Sequence, residues 1–487
     1  MIKLFTLSLP GLLLLSGCVL GPDFKRPESP QPGSYSSEIK GVSSPNSPKL
    51  VNSEALPEQW WKLFESKALS QLVEQGLANS PTLAAAEARL LSLGESLEAD
   101  TGWVLFPHVD ASATSARQKI SGAAFGNAGD PRIFTVHNAA IDVSYTIDAF
   151  GGGQRYLEQG LAKVEQQAFQ LEASRLTLIT NIVTTAIAEA SLREQIAATE
   201  MMVADEQNLL EMSEQQFDIG TIAKAAVLAQ RTSLAQTRTQ LPVLQKALAS
   251  MRHQLAILIG AMPGEAQLPM IQMDDLVLPK EIPVTLPSSL TQRRPDVRLS
   301  ETLLHQANAQ IGIATANMYP KLALSASYAT EATKLSNLFN AGSMVWGLGA
   351  GLTQPLFRAG ELRARKRAAL ADFDQAAANY RQSVLTAFGD VADAMLGLEM
   401  DGRQLRLEIE ADSLAAETLA IIREQHQQGA VSYLALLDAQ SRYQQARINL
   451  IKARAAMFND TAALIFALGG GWQQNSASEQ PQTMEKQ

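Results

Sequence analysis

"FDIGTIAKAAVLAQRTSLAQTRTQL" (217–241) and "HQQGAVSYLALLDAQSRYQQARINL" (426–450) are two versions of one segment. A shift of 209 residues places Gly220 on Gly429, Arg238 on Arg447 and Leu241 on Leu450, and continues to Leu255 with Leu464 and Gly260 with Gly469. Upstream, "NSPTLAAAEARL" (79–90) resembles "RRPDVRLSETLL" (293–304), Phe106-Pro107 matches Tyr319-Pro320, and "AFGGGQR" (149–155) matches "LFRAGELR" (356–363). The shift drifts between 207 and 214, which means small insertions. The 487-residue chain therefore holds two copies of one unit, 65–262 and 288–470. Two copies are fewer than a solenoid needs.

Each copy reads helix, strand, strand, long helix, helix. Pro81 and Pro295 suit a first helical turn, where the missing N–H costs nothing. Pro107 and Pro320 end these helices and open strands expected at about 108–118 and 135–149 in the first copy, 321–333 and 343–357 in the second. The strands alternate. Ala139, Ile141, Val143, Tyr145 and Ile147 share one face, and Asn138, Asp142, Ser144, Thr146 and Asp148 share the other. Trp346, Leu348, Ala350 and Leu352 oppose Gly347, Gly349 and Gly351. Apolar against small or polar over this length suits a transmembrane β-barrel, and locally suits a soluble sandwich equally well.

The long helices are expected in α-hairpins at about 151–260 and 358–468. Phe373, Ala377, Tyr380, Val384, Ala387, Val391, Ala394 and Leu398 follow coiled-coil 4-3 spacing, as do Leu157, Leu161, Val164, Ala168 and Leu171. Gly220 and Gly429 end the outward helices at tight tips, and Pro242 is expected to kink the first return helix.

The N-terminus adds an address. "LLLLSGCVLGPDFKRPE" (12–28) closes an apolar run behind Lys3 and carries the single cysteine of the chain. Residues 1–17 read as a secretory signal peptide, too short to span a bilayer. Leu15-Ser16-Gly17-Cys18 resembles a bacterial lipobox, which makes Cys18 the lipid-bearing first residue of the mature protein. Val19, in place of an aspartate, points to the outer membrane. Segment 18–64, rich in Pro and Ser, reads as an extended lipidated linker, 263–287 as a proline-rich connection, and 471–487 as a polar tail.

Composition removes several function classes. Past the signal no apolar run reaches 18 residues, so no helix spans a membrane. With a net charge of −9 and no basic stripe, nucleic acid is excluded as a partner. The five histidines are scattered, without metal spacing, nucleophile elbow or phosphate loop, so no enzyme and no cofactor is expected.

Four strands cannot close a barrel, and an open edge in lipid leaves backbone groups unpaired. Two chains would give eight strands with a filled interior; three give twelve and a water-filled lumen. The expected fold is mainly α with a membrane β-barrel, a homotrimer forming a 12-stranded β-barrel on top of a long α-helical barrel.

"GCVLGPDFKRPE" (17–28), the tip "GAVSYLALLDAQ" (429–440) and "LGGGW" (468–472) resemble the OprM/NodT branch of the TolC-like outer membrane factors, from Cys18 to Trp472. The resemblance implies a trimeric exit duct for drugs or other small molecules, docked by a periplasmic adaptor and an inner-membrane efflux pump. It also implies N-palmitoyl and S-diacylglycerol groups on Cys18. The docking tips would be Gly220, Thr221 and Ile222 with Gly429, Ala430 and Val431. Leu434 and Asp438, four apart on one helix face, break the repeat symmetry because their partners are Ala225 and Ala229. They are the candidate channel gate, and the resemblance places constrictions at the same positions. His426 departs from the aromatic residue that the family often carries three residues before the tip glycine. A non-conducting periplasmic coiled-coil scaffold is the rival reading.

Overall fold

A computed structural model describes residues 19–28, 30, 35, 48–52, 56–121, 130–284 and 287–472. Cys18, the signal peptide and the tail beyond Trp472 lie outside the described residues. The chain divides into two compact units that do not follow the repeat boundary. One comprises residues up to Pro27, Arg89–Gln167 and Leu299–Arg381; the other comprises Glu28–Ala88, Ala168–Arg298 and the chain from Gln382. Each draws on both copies, and in the first unit a strand of one copy pairs with a strand of the other.

The first unit contains a four-stranded antiparallel sheet in the order β2 (His108–Ile120), β3 (Arg132–Ile147), β5 (Lys321–Ala332), β6 (Met344–Thr353). β6 stops four residues short of the expected end, since Pro355 lacks a ladder donor. The register runs Val109–Val143–Ala326–Leu348 and, two residues on, Ala111–Ile141–Tyr328–Trp346. The intervening level is Asp110–Asp142–Ser327–Gly347. One face is thus apolar and the other polar or bare. Nothing among the described residues covers the apolar face: Trp346 is 74% exposed and Leu348 79%. A sandwich strand would bury these side chains, so the soluble alternative fails, while lipid accounts for them. Among the described residues the outer strands β2 and β6 have no partner on their far sides.

Residues 20–26 are fastened to the same unit. The Arg155 guanidinium, 4% exposed, donates to the carbonyls of Leu20 and Gly21, to Asp23 at 2.6 Å and to Glu158 at 2.7 Å. Asn308 donates to Pro22 O at 2.8 Å, and Phe24 stacks on His305 with centroids 4.3 Å apart. Gly21, at φ +99°, rests directly on Gly312.

The second unit holds elements the periodicity does not reveal. α1 (Lys67–Asn79) precedes α2 (Pro81–Leu105), and α5 (Pro287–Arg293) precedes α6 (Pro295–Ala316). The segments read as linkers are not wholly extended: β1 (Lys49–Asn52) pairs in parallel with β4 (Glu281–Val284), and Trp60–Phe64 forms a 3₁₀ turn. Trp60, Trp61 and Phe64 are buried, with Phe64 against Phe458. α3 (Gly152–Asp218) and α7 (Glu361–Gln427) have 67 residues each, about 100 Å of helix. They return as α4 (Lys224–Leu258), which continues through Pro242, and α8 (Tyr433–Ala467). On α7, Tyr380, Val384, Ala387, Val391 and Leu398 of the 4-3 series are buried, whereas Leu161 of the α3 series is 49% exposed.

Two pairs of glycines separate strain from crowding. Gly260 and Gly469, at φ +75° and +95°, have room for no Cβ: it would lie 2.3 Å from Asn79 O and 2.5 Å from Arg293 O. Gly220 and Gly429 have left-handed φ but open space. Gly220→Ala should cost about 1–2 kcal/mol. Gly260→Ala and Gly469→Ala should cost more and lower the melting temperature of detergent-purified protein further; equal shifts would contradict the crowding argument.

Candidate gate and docking tips

Both tips end in the same backbone device. After α3, Gly220 N–H donates to Phe217 O at 2.8 Å and Thr221 N–H to Gln216 O at 2.9 Å; after α7, Gly429 donates to His426 O at 2.9 Å and Ala430 to Gln425 O at 2.8 Å. These paired bonds require the left-handed glycine. The helices that follow differ. Ser432 caps α8 by accepting from Ala435 N–H at 3.4 Å, while Ala223 offers α4 no side-chain cap.

The tip residues do not all face solvent. Gly220, Thr221, Gly429 and Ala430 are exposed, but Ile222 and Val431 are half-buried. Ile222 packs on the cluster of Leu210, Val227 and Leu234. Ile219, which the sequence reading did not single out, is presented there at 75% exposure, beside Phe217 at 40%. His426 is turned inward, with Nδ1 3.3 Å from Val431 O and its ring against Tyr433.

Leu434 and Asp438 share one exposed face of α8. Leu434 is 71% exposed, and the Asp438 carboxylate accepts from Arg442 Nε at 2.8 Å. That bond raises the Arg442 pKa. Sequence reasoning missed Arg442, although i,i+4 spacing from Asp438 is its signal.

Behind this face lies a polar network that no motif announces. Glu206 on α3, 2% exposed, accepts from Ser233 at 3.2 Å and Thr237 at 3.1 Å on α4, and from Gln444 at 2.8 Å on α8. Gln230 donates to the Glu206 carbonyl and accepts from the Tyr433 hydroxyl. Burial pushes the Tyr433 phenol well above its usual range. One buried carboxylate thus ties three helices together, in a setting where an unpaired charge is strongly destabilising.

The sequence profile of the outer membrane efflux protein family matches residues 72–261 and 286–470. The chain belongs to the outer membrane efflux protein family. It is 30% identical to the pyoverdine export outer membrane protein OpmQ of Pseudomonas aeruginosa, over 85% of this chain and 88% of that one. It is 27% identical to the cation efflux system protein CusC of Escherichia coli, over 95% and 97%. Among solved structures it is similar to the outer-membrane channel OprN, with a TM-score of 0.87 and 27% identity, covering 94% of this chain and 100% of that one. The protein is an outer membrane efflux channel rather than an enzyme, and its fold is the one in which three copies close a twelve-stranded β-barrel and a helical barrel. Among the described residues of this efflux protein, no group of side chains is arranged to hold a metal ion.

The efflux protein also carries a half-buried carboxyl pair, Asp401 on α7 and Asp460 on α8. Gly397 leaves room for it: a Cβ there would lie 2.6 Å from Asp460 Oδ2. Burial first, and the neighbouring Asp401 second, push Asp460 up to about 6; burial also raises Asp401. A raised carboxylate pKa gives stability that is full below the unfolded value near 4 and lost as pH rises through about 6. Asp460→Asn should therefore stabilise the protein at pH 7.5 by up to about 1 kcal/mol, a value limited by solvent screening, and leave it unchanged at pH 4. Thermal melts at the two pH values test this; equal effects at both would contradict the account by burial and the neighbouring Asp401.

Proposed function

We propose that the protein is the exit duct of a tripartite efflux system, taking small molecules from a periplasmic adaptor and an inner-membrane pump to the exterior. The observation that carries this reading is the pairing of an uncovered, lipid-suited sheet with α-hairpins whose tips present exposed apolar and small residues. Relatives are named for pyoverdine, solvent, toluene and cation export. Such varied cargo suits a duct whose substrate choice is made by the pump.

Cys18 is the acylated N-terminus, and the fastening of residues 20–26 beside the sheet supports a lipid held at the membrane edge. Intact mass of the purified protein should give a chain beginning at Cys18 with diacylglycerol and an N-acyl chain. A start elsewhere, or an unmodified cysteine, contradicts this.

The tips dock the adaptor's own helical hairpins through Thr221, Ala430 and the apolar Ile219, around the turn glycines Gly220 and Gly429; half-buried Ile222 and Val431 shape these turns from behind. Ile219→Glu and Ala430→Glu should each reduce efflux at least about tenfold, roughly the effect of burying one unpaired charge in an interface, with trimer assembly intact. Unchanged drug susceptibility would remove the tips from the interface.

The gate is Leu434 with Asp438. Threefold assembly would bring three exposed leucines to the axis as an apolar constriction. Because Arg442 pairs with Asp438, the polar ring below it would carry three ion pairs rather than three bare carboxylates. Leu434→Ala/Asp438→Ala should raise single-channel conductance in a planar bilayer and admit large antibiotics inward. Conductance equal to the parent's places the gate elsewhere.

A further inference from the structure

The first unit contains a concavity of about 380 Å³ where helix ends meet the start of the sheet. Its polar wall is His108, Thr146, Asp148 and Lys321, and Trp103 of α2 and Asn317 after α6 close its sides. Strand parity fixes which face this is. His108 pairs with Ser144, and Thr146 pairs with Ala323, two residues beyond Lys321. All of these alternate in phase with Asp110 and Asp142 and out of phase with Ile141, Tyr328 and Trp346. The concavity therefore opens on the polar face of the sheet, away from the lipid band.

Its chemistry is uneven. Trp103 stacks on His108 with centroids 3.8 Å apart and an interplanar angle of 24°, yet stays 68% exposed, so its other face is open. The bare side of the indole offers a π-face on which a second ring can stack. Asp148 accepts from Gln154 N–H at 2.9 Å at the start of α3, where the positive helix end offsets part of its charge. Lys321 makes no ion pair among the described residues. An aromatic surface and an uncommitted ammonium, in a hollow of the size that holds small ligands, select a planar ring bearing a negative charge.

We infer that this concavity is a resting subsite for aromatic anionic cargo on the luminal wall, with Trp103 stacking the ring and Lys321 pairing its carboxylate or phenolate. The inference rests on the channel reading, which makes the polar face the lumen. A conducting duct needs such sites to be shallow, so that cargo enters and leaves readily. Partial solvation of the Lys321 ammonium keeps the charge pair weak.

Salicylate is the probe, with cyclohexanecarboxylate (charge without a π-face) and benzylammonium (ring with the opposite charge) as controls. Saturation-transfer NMR on the full-length trimer in nanodiscs reads binding whatever the state of the gate. Salicylate should bind and both controls should bind more weakly. Trp103→Ala and Lys321→Ala should each weaken it about fivefold, the scale of one aromatic contact, while Trp103→Phe and Lys321→Arg should largely retain it. Equal binding of salicylate and cyclohexanecarboxylate, or no change in the two alanine variants, overturns the subsite. Salicylate added to channels opened by Leu434→Ala/Asp438→Ala should reduce their current. Binding without any current reduction puts the ligand outside the lumen and also overturns the inference. Absence of current before salicylate is added would instead overturn the channel reading on which it rests.

Discussion

A β-strand edge cannot be left open in hydrocarbon. Each unpaired backbone group there costs several kcal/mol, and this chain supplies a four-stranded sheet with two such edges, β2 and β6. Pairing β2 of one copy with β6 of the next removes every edge, and three copies make a lumen that water can fill. The remaining design follows from that closure. The apolar face with Ile141, Tyr328 and Trp346 meets lipid, and the face with Asp110, Asp142 and the glycines of β6 meets water. The helices that continue from the strands must then also be arranged around a threefold axis, which their alanine-rich 4-3 seams permit.

Much of this was legible in the sequence because it rests on periods and breakers. Period-two alternation placed the strands and their faces, proline marked where helices give way to strands, and glycine marked the tips. The shift of 209 residues disclosed the repeat before any element was assigned. α1 and α5 escaped because Pro81 and Pro295 read as the beginnings of helices and masked the short helices that end just before them. The strand pair β1–β4 escaped because four-residue parallel strands have no periodicity to detect, and Pro283 within β4 argues locally against a strand. At the tips, spacing put Leu434 and Asp438 on one face, but could not say that Ile222 turns inward and Ile219 outward. The Glu206 network was invisible, since its members are far apart in sequence and of common types; only the fold brings Ser233, Thr237 and Gln444 to one carboxylate.

The two copies have diverged where an asymmetric task is expected. Their glycine closures, Gly260 on Asn79 and Gly469 on Arg293, are the same contact made twice. Beside them, Ser80 of the first copy corresponds to Arg294 of the second. Arg294 is buried and donates to Asp296, Asp390 and the carbonyls of Ala387 and Ala467. The second return helix is capped by Ser432, carries Tyr433 into the Glu206 network and exposes Leu434, while the first has alanine or lysine at the matching places. The second hairpin is thus both better fastened at its base and differently dressed at its tip.

The central claim is closure by three copies. Native mass spectrometry of the protein released from detergent micelles measures it directly. The account predicts an assembly of three chains, with no dimer surviving as a stable species. A stable monomer or dimer as the end state in a membrane-like environment would contradict it, because either leaves the β2 and β6 edges unpaired or a lumen too narrow for cargo.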